Sequence, residues 1–146
     1  MTWDEAEAAI KTYVEVQWAI SAYASVRLFW ENLDWVEGED RFLYLTIEGL
    51  FAEKTIFGST TKRMSVEHGI VFVHCFVEKG VGKQSALKML VAMNQILEIK
   101  SISSVIDLEG AAPPSPVEDD SLIAGRPGGN YFRCSSSVPF IVRSNI

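Results

Sequence analysis

The sequence predicts an α+β domain: a mixed, mostly antiparallel β-sheet packed with two α-helices and carrying long flexible loop arms. Three observations predict it. Apolar residues recur at helical spacing in two stretches, 3–24 and 83–98. Several other short stretches alternate apolar and polar residues as strands do. Two segments rich in turn-forming residues, 58–62 and 109–130, interrupt these patterns. The chain of 146 residues reads as one domain, 1–146, long enough to bury a core without disulfides or metal.

The first helix opens on Thr2, and Glu5 completes a capping box; Asp4, Glu5 and Glu7 suit the positive end of a helix. One apolar stripe runs Ala6, Ile10, Tyr13, Gln17, Ile20, with a polar lapse at Gln17, and a second runs Ala9, Val16, Tyr23. The polar stripe Asp4, Glu7, Lys11, Glu15 is spaced for ion pairs, but the next positions on that face are Trp18 and Ala22. A helix apolar on several sides is covered on several sides, by its own domain or by another subunit. The plainer account is a Trp18 covered by a local loop.

Segment 25–30 alternates as a strand, with Val26, Leu28 and Trp30 on one face. An acidic loop carrying Trp35 follows over 31–40, and then a strand over 42–48 with Leu43, Leu45 and Ile47 facing one way. Segment 50–57 continues that strand or folds back, and Gly58-Ser59-Thr60-Thr61-Lys62 is a turn or mobile loop. The strongest strand signal is 66–77: Ile70, Phe72 and Phe76 line one face, Val71, Val73, Cys75 and Val77 the other. Apolar residues on both faces predict a central strand covered on both sides. The second helix has Ala86, Leu90, Met93 and Leu97 on its apolar face, widened by Leu87 and Val91. A strand over 104–108 leads into the long 109–130 segment, whose length predicts a functional or disordered loop. The last strand, 131–142, sets Phe132, Cys134, Val138 and Phe140 on one face; Pro139 cannot donate to a ladder and predicts an edge or a bulge there.

Asp and Glu number 19 against 13 Lys and Arg, a net charge of −6, which weighs against tight binding along DNA or RNA. Two distant cysteines, Cys75 and Cys134, make no disulfide framework. The opening Met1-Thr2-Trp3-Asp4-Glu5 is acidic where a secretory signal is basic, and no apolar run approaches the roughly 18 residues that span a bilayer. These features predict a protein of a reducing cytoplasm that enters no membrane.

No catalytic, cofactor or metal site is expected, and the chain does not read as an enzyme. Gly80-Val81-Gly82-Lys83-Gln84-Ser85 imitates a phosphate loop, but Val77 stands where the first Gly belongs and Gln84 separates Lys83 from Ser85. His74 adjoins Cys75, yet strand neighbours point to opposite faces, so the two make no nucleophile pair; Cys134 is free to approach Cys75 across a sheet. Glu118-Asp119-Asp120 lacks the alternating ligands and central Gly of a calcium loop, and Ser135-Ser136-Ser137 matches no nucleophile elbow.

The order of elements carries a resemblance. A helix leads to a strand ending in Phe29-Trp30-Glu31-Asn32. Next come the strand Phe42-Leu43-Tyr44-Leu45-Thr46-Ile47, a hairpin arm, and Arg63 and Gly69 ahead of a strongly apolar strand. A Gly80/Gly82 turn enters a helix with Ala86-Leu87 and Leu90, and the chain closes with a Gly-rich loop and a strand containing Val138-Pro139-Phe140. Over nearly its whole length the chain resembles the tail terminator, or tail completion, proteins of long-tailed phages and gene-transfer agents. Ser25 departs from the Pro often found in that family before the first strand.

The resemblance implies a virion structural protein, assembled in the host bacterial cytoplasm, whose homo-oligomeric ring, usually a hexamer, caps the tail tube and ends its growth. Tail tube protein and a head-side connector are the implied partners, with DNA passing through the lumen without specific binding. Candidate subunit or partner contacts are Trp18 and Ala22, which break a polar stripe, Trp35 in its acidic loop, and Phe57, Lys62 and Arg63 along the first arm. The alternatives are another head–tail connector of the virion neck, or a small ligand-binding or enzymatic α+β domain with a site between sheet and helices.

Overall fold

Thr2 starts the first helix as its sequence requires. In the computed structural model, which describes residues 2–31, 41–49, 55–58, 63–78, 83–98, 100–117 and 131–145, Glu5 N–H donates to Thr2 Oγ1 at 3.3 Å and Thr2 N–H donates to Glu5 Oε2 at 2.9 Å. Helix α1 (Trp3–Ala19) then stops before residue 24, where periodicity alone carries it. Ser21 stops it. Its hydroxyl and its backbone N–H both donate to the Trp18 carbonyl, at 2.7 and 3.0 Å, claiming the acceptor that a continuing helix would offer to Ala22.

Among the described residues eight strands form one sheet. They are β1 (Arg27–Trp30), β2 (Arg41–Gly49), β3 (Thr55–Gly58), β4 (Arg63–Glu78), β5 (Lys100–Ser101), β6 (Ile106–Leu108), β7 (Ser115–Val117) and β8 (Tyr131–Asn145). Helix α2 (Lys83–Ile96) lies between β4 and β5 in sequence. The order across the sheet is β1-β2-β4-β8-β6-β5, with β3 also on β4 and β7 also on β8. The β1–β2 pair is parallel and every other pair antiparallel. The fold is therefore α+β with a mixed, mostly antiparallel sheet, as the sequence predicts. Two strands were not anticipated, β5 and β7; β7 lies inside the segment read as one long loop.

Both helices pack on one face of the sheet. Leu43, Leu45 and Ile47 of β2, Val71, Val73, Cys75 and Val77 of β4, and Cys134, Val138, Phe140 and Val142 of β8 meet the helices in one buried cluster. Helix α1 contributes Ala6, Ile10, Val14 and Trp18, a straight i, i+4 row. This row corrects the expected stripes: Val16 is 54% exposed and Ile20 77% exposed. Likewise Met89 joins the α2 core face, while Val91 is 44% exposed. Ile20 and Val16 point away because the row that meets the sheet is set by Val14 and Trp18, half a turn round the helix.

Gly69 marks where α1 crosses the sheet. A Cβ there would lie 2.3 Å from Phe140 Cζ and 2.6 Å from the Trp3 ring, and those two rings stack at 5.6 Å. Only glycine leaves room for this contact.

Pro139 is not on an edge, nor at a bulge. Strand β8 lies inside the sheet, and its register with β4 runs unbroken through Ile70↔Pro139. The missing N–H does no harm because of where it points. Pro139 and Ser137 direct their carbonyls away from β4, accepting from Glu109 and Ala112 N–H at 2.8 Å each. That side of β8 falls between β6 and β7, where the chain leaves the ladder and Gly110 turns it with φ of 103°. A proline is tolerated where the neighbouring strand is interrupted.

Candidate functional site

Of the sequence-derived contact residues, the structure describes Trp18, Ala22, Phe57 and Arg63. Trp18 is 3% exposed; its indole N–H donates to the Val26 carbonyl at 2.9 Å and its ring stacks on Tyr23. It is a core residue, not a contact residue, and the need to reach Val26 is a second reason for the chain to turn where it does. Ala22 is exposed, but in the turn after α1 rather than on the helix. Phe57 and Arg63 are paired strand positions, Phe57 opposite Met64 and Gly58 opposite Arg63. Trp35 and Lys62 lie outside the described residues, as do the Gly80/Gly82 turn and Glu118-Asp119-Asp120.

Two surfaces stand out instead. The first is the outer side of α1. Ala8, Thr12, Val16, Ala19 and Ile20 are all exposed and none carries a charge. Most of the polar contacts of α1 lie on its flanks: Trp3 Nε1 donates to Glu7 at 2.8 Å, and Trp30 Nε1 donates to Glu15 at 3.2 Å with Lys11 over the Trp30 ring at 5.6 Å. A solvated helix face ordinarily carries charge along its length.

The second is the sheet face opposite the helices. At one end Phe29, Phe42 and Phe76 bury one another; Phe42 and Phe76 stack at 4.9 Å and Phe29 meets Phe42 edge-on at 5.5 Å. Beside them Tyr44, Ile70, Phe72, His74 and Ile141 are only half-buried. The Phe72 and His74 rings lie nearly parallel, 7° apart with centroids at 6.5 Å. The covering expected on both sides of β4 is therefore complete only on the helix side.

Polar groups on this face are concentrated around His74. Its Nδ1 lies 2.7 Å from Ser135 Oγ, directly across the β4–β8 pair. Burial, and secondarily the nearby Arg133 cation, push its imidazole down from 6.5 to about 4, so the ring is neutral at ordinary pH. Burial raises the Tyr44 phenol, with Glu31 adding to it. Arg133 is half-buried, and its Nε is shut away from solvent with no hydrogen-bond partner. Farther along, Arg143 pairs with Asp107, which also accepts from Ser101.

On the helix side, Cys75 and Cys134 are register partners in β4 and β8, both buried and both free thiols. Burial drives the Cys75 thiol far up, removing thiolate chemistry. His74 and Cys75 face opposite ways, as their spacing predicts. Among the described residues no group of three His, Cys, Asp or Glu side chains could hold a metal ion. At the sheet–helix interface the described core side chains form one buried cluster. An open cleft of about 370 Å³ lies beside α2, between Val91, Asn94 and Glu98 and the segment from Gly110 to Pro114. Among the described residues no helix is long and apolar enough to cross a membrane.

Sequence reasoning missed the outer side of α1 because it placed Val16 and Ile20 in the core. It missed His74–Ser135 and Arg133 because strand pairing across sixty residues leaves no local signal. The available clue was Tyr44 and Phe72 alternating with core residues.

No family model matches the chain, and no curated protein matches it. A solved structure whose name carries no function is similar over 97% of this chain and 96% of its own, with a TM-score of 0.65 and 13% sequence identity. At that identity the likeness establishes a shared fold alone.

Proposed function

We propose that the chain is a virion structural protein of the tail terminator kind, forming a hexameric ring that caps the tail tube, ends tail growth and offers a surface to the head-side connector. One observation carries the reading. The molecule presents two unlike surfaces on opposite sides: the uncharged outer stripe of α1 from Ala8 to Ile20, and the half-buried sheet face where Tyr44, Ile70, Phe72 and Ile141 lie among polar groups. Identical surfaces would pair into a closed dimer. Two different ones favour head-to-tail contacts, which close into rings when the rotation per subunit allows. The resemblance in element order supports the same reading, and the net charge of −6 suits a lumen through which DNA slides.

The test is solution mass by light scattering with negative-stain images, on the protein alone and with tail tubes. Rings, alone or on tube ends, are expected. Rings that bind filled heads and ignore tubes would reassign the protein to the neck connector, and a monomer indifferent to both would end the assembly reading.

A further inference from the structure

Arg133 is the one described residue with a buried side-chain nitrogen or oxygen left without a hydrogen-bond partner. Leaving such a donor unmet in a folded protein costs more than the bond is worth, so it calls for a reason. Nor does Arg133 have an acidic partner among the described residues, whereas Arg143, on the same strand and face, is paired with Asp107. The setting of Arg133 is distinctive. Phe76 is its register partner, stacked in turn on Phe42. Two residues along the same face, Ser135 meets His74 at 2.7 Å. Next to His74, across the β2–β4 pair, is Tyr44, with ring centroids 6.3 Å apart. These are a cation, a hydroxyl, an imidazole and a phenol on neighbouring positions of three strands, with Glu31 acting on Tyr44 at its edge.

We propose that this cluster is an anion-binding site: the Arg133 guanidinium takes a carboxylate or phosphate oxygen pair, and His74, with Ser135 donating to its Nδ1, contributes one hydrogen bond beside it through Nε2–H. A guanidinium offers parallel N–H groups that match two oxygens of either anion, and side-on docking, with the side chain turned to uncover Nε, would satisfy that donor. The half-burial of the site strengthens the pairing relative to open water. His74 being neutral suits the arrangement, because a neutral ring beside a cation still offers one N–H without adding like charge. The site adjoins the sheet face assigned to ring contacts and shares Tyr44 with it, but its test reads anion binding rather than particle mass, so either idea can fail alone.

The test is a ¹⁵N NMR titration of the whole chain with inorganic phosphate and, separately, with acetate, following the Arg133 Nε–Hε signal and the His74 ring. A saturable shift of both is expected, weakened by added salt. Saturation by phosphate alone points to a phosphate-bearing partner; saturation by acetate alone points to a protein carboxylate. Arg133→Gln should abolish the shift, and Arg133→Lys, which keeps the charge and protects folding, should weaken binding about tenfold or more through loss of the paired geometry. Ser135→Ala should weaken it by a smaller factor. No saturable shift with either probe, or a shift that survives in Arg133→Gln, overturns the assignment.

Discussion

The two faces of the sheet are built from the same strands yet do different things. Toward the helices, β2, β4 and β8 present Leu43, Leu45, Val71, Val73, Val138 and Phe140 at 1% exposure or less. Toward the other side, the alternate residues of the same strands include Tyr44, Phe72, His74, Arg133 and Ser135, half-buried and partly polar. One face has finished its packing within the chain and the other has not. Stability should therefore reside on the first face and interaction on the second.

Substitution on the closed face should be the most damaging. Leu45 is fully buried in the centre of β2, and Leu45→Ala should cost about 2–5 kcal/mol of unfolding free energy. The urea midpoint measures it, and a loss much below 1 kcal/mol would mean that the helices do not seal this face. Gly69→Ala tests the same face where it is tightest. With Phe140 Cζ 2.3 Å from the added Cβ, Trp3 and Phe140 must separate, at about 1–3 kcal/mol. An unchanged midpoint would show that α1 does not cross the sheet there.

The closed face was also the legible one. Period-2 alternation found β2, β4 and β8, and period 3.6 found both helices, because burial writes itself into apolar spacing. Helix length was not legible, since Ser21 ends α1 through a hydrogen bond rather than a break in pattern. Trp18 stays open in the sequence between a subunit contact and a local cover, because a tryptophan on a polar stripe looks the same under either; the structure gives it the second, the following turn with Tyr23 and Val26. Pro139 was misread because its harm depends on which neighbour its nitrogen faces, and that is fixed by the gap between β6 and β7. The cluster at Arg133 lay beyond any local pattern: it exists only once residue 74 is opposite residue 135.

Substitutions on the unfinished surfaces sharpen the contrast by reversing it. Ile20→Lys changes a 77% exposed side chain and should move the urea midpoint by no more than about 0.5 kcal/mol of stability. Phe72→Ala, half-buried, should cost more than that but clearly less than Leu45→Ala. If the two surfaces hold rings together, both variants should lower the particle mass in light scattering, Ile20→Lys without loss of fold. Intact rings in both would separate these surfaces from assembly.

The smallest effect is a pH dependence carried by His74. Its imidazole is pushed from 6.5 to about 4 in the fold. Between those values the unfolded chain takes up a proton that the folded chain refuses, so stability falls as pH drops through this window and is insensitive to this group above it. The groups that bear on the ring are Arg133, which opposes protonation, and Ser135, which bonds to it; Tyr44 beside it stays neutral here. Asp107 contributes elsewhere: the Ser101 hydrogen bond, joined by Arg143, holds its carboxyl below its ordinary 3.8, so its stabilisation is lost only at lower pH. His74→Gln keeps a side chain able to bond Ser135 but removes the titration. Urea midpoints at pH 7.5, 5.5 and 4.5 should therefore fall more steeply for the natural protein than for His74→Gln. Equal slopes would mean that His74 titrates as a solvated histidine, and the unfinished face would then be open water at the position where the geometry makes it half-closed.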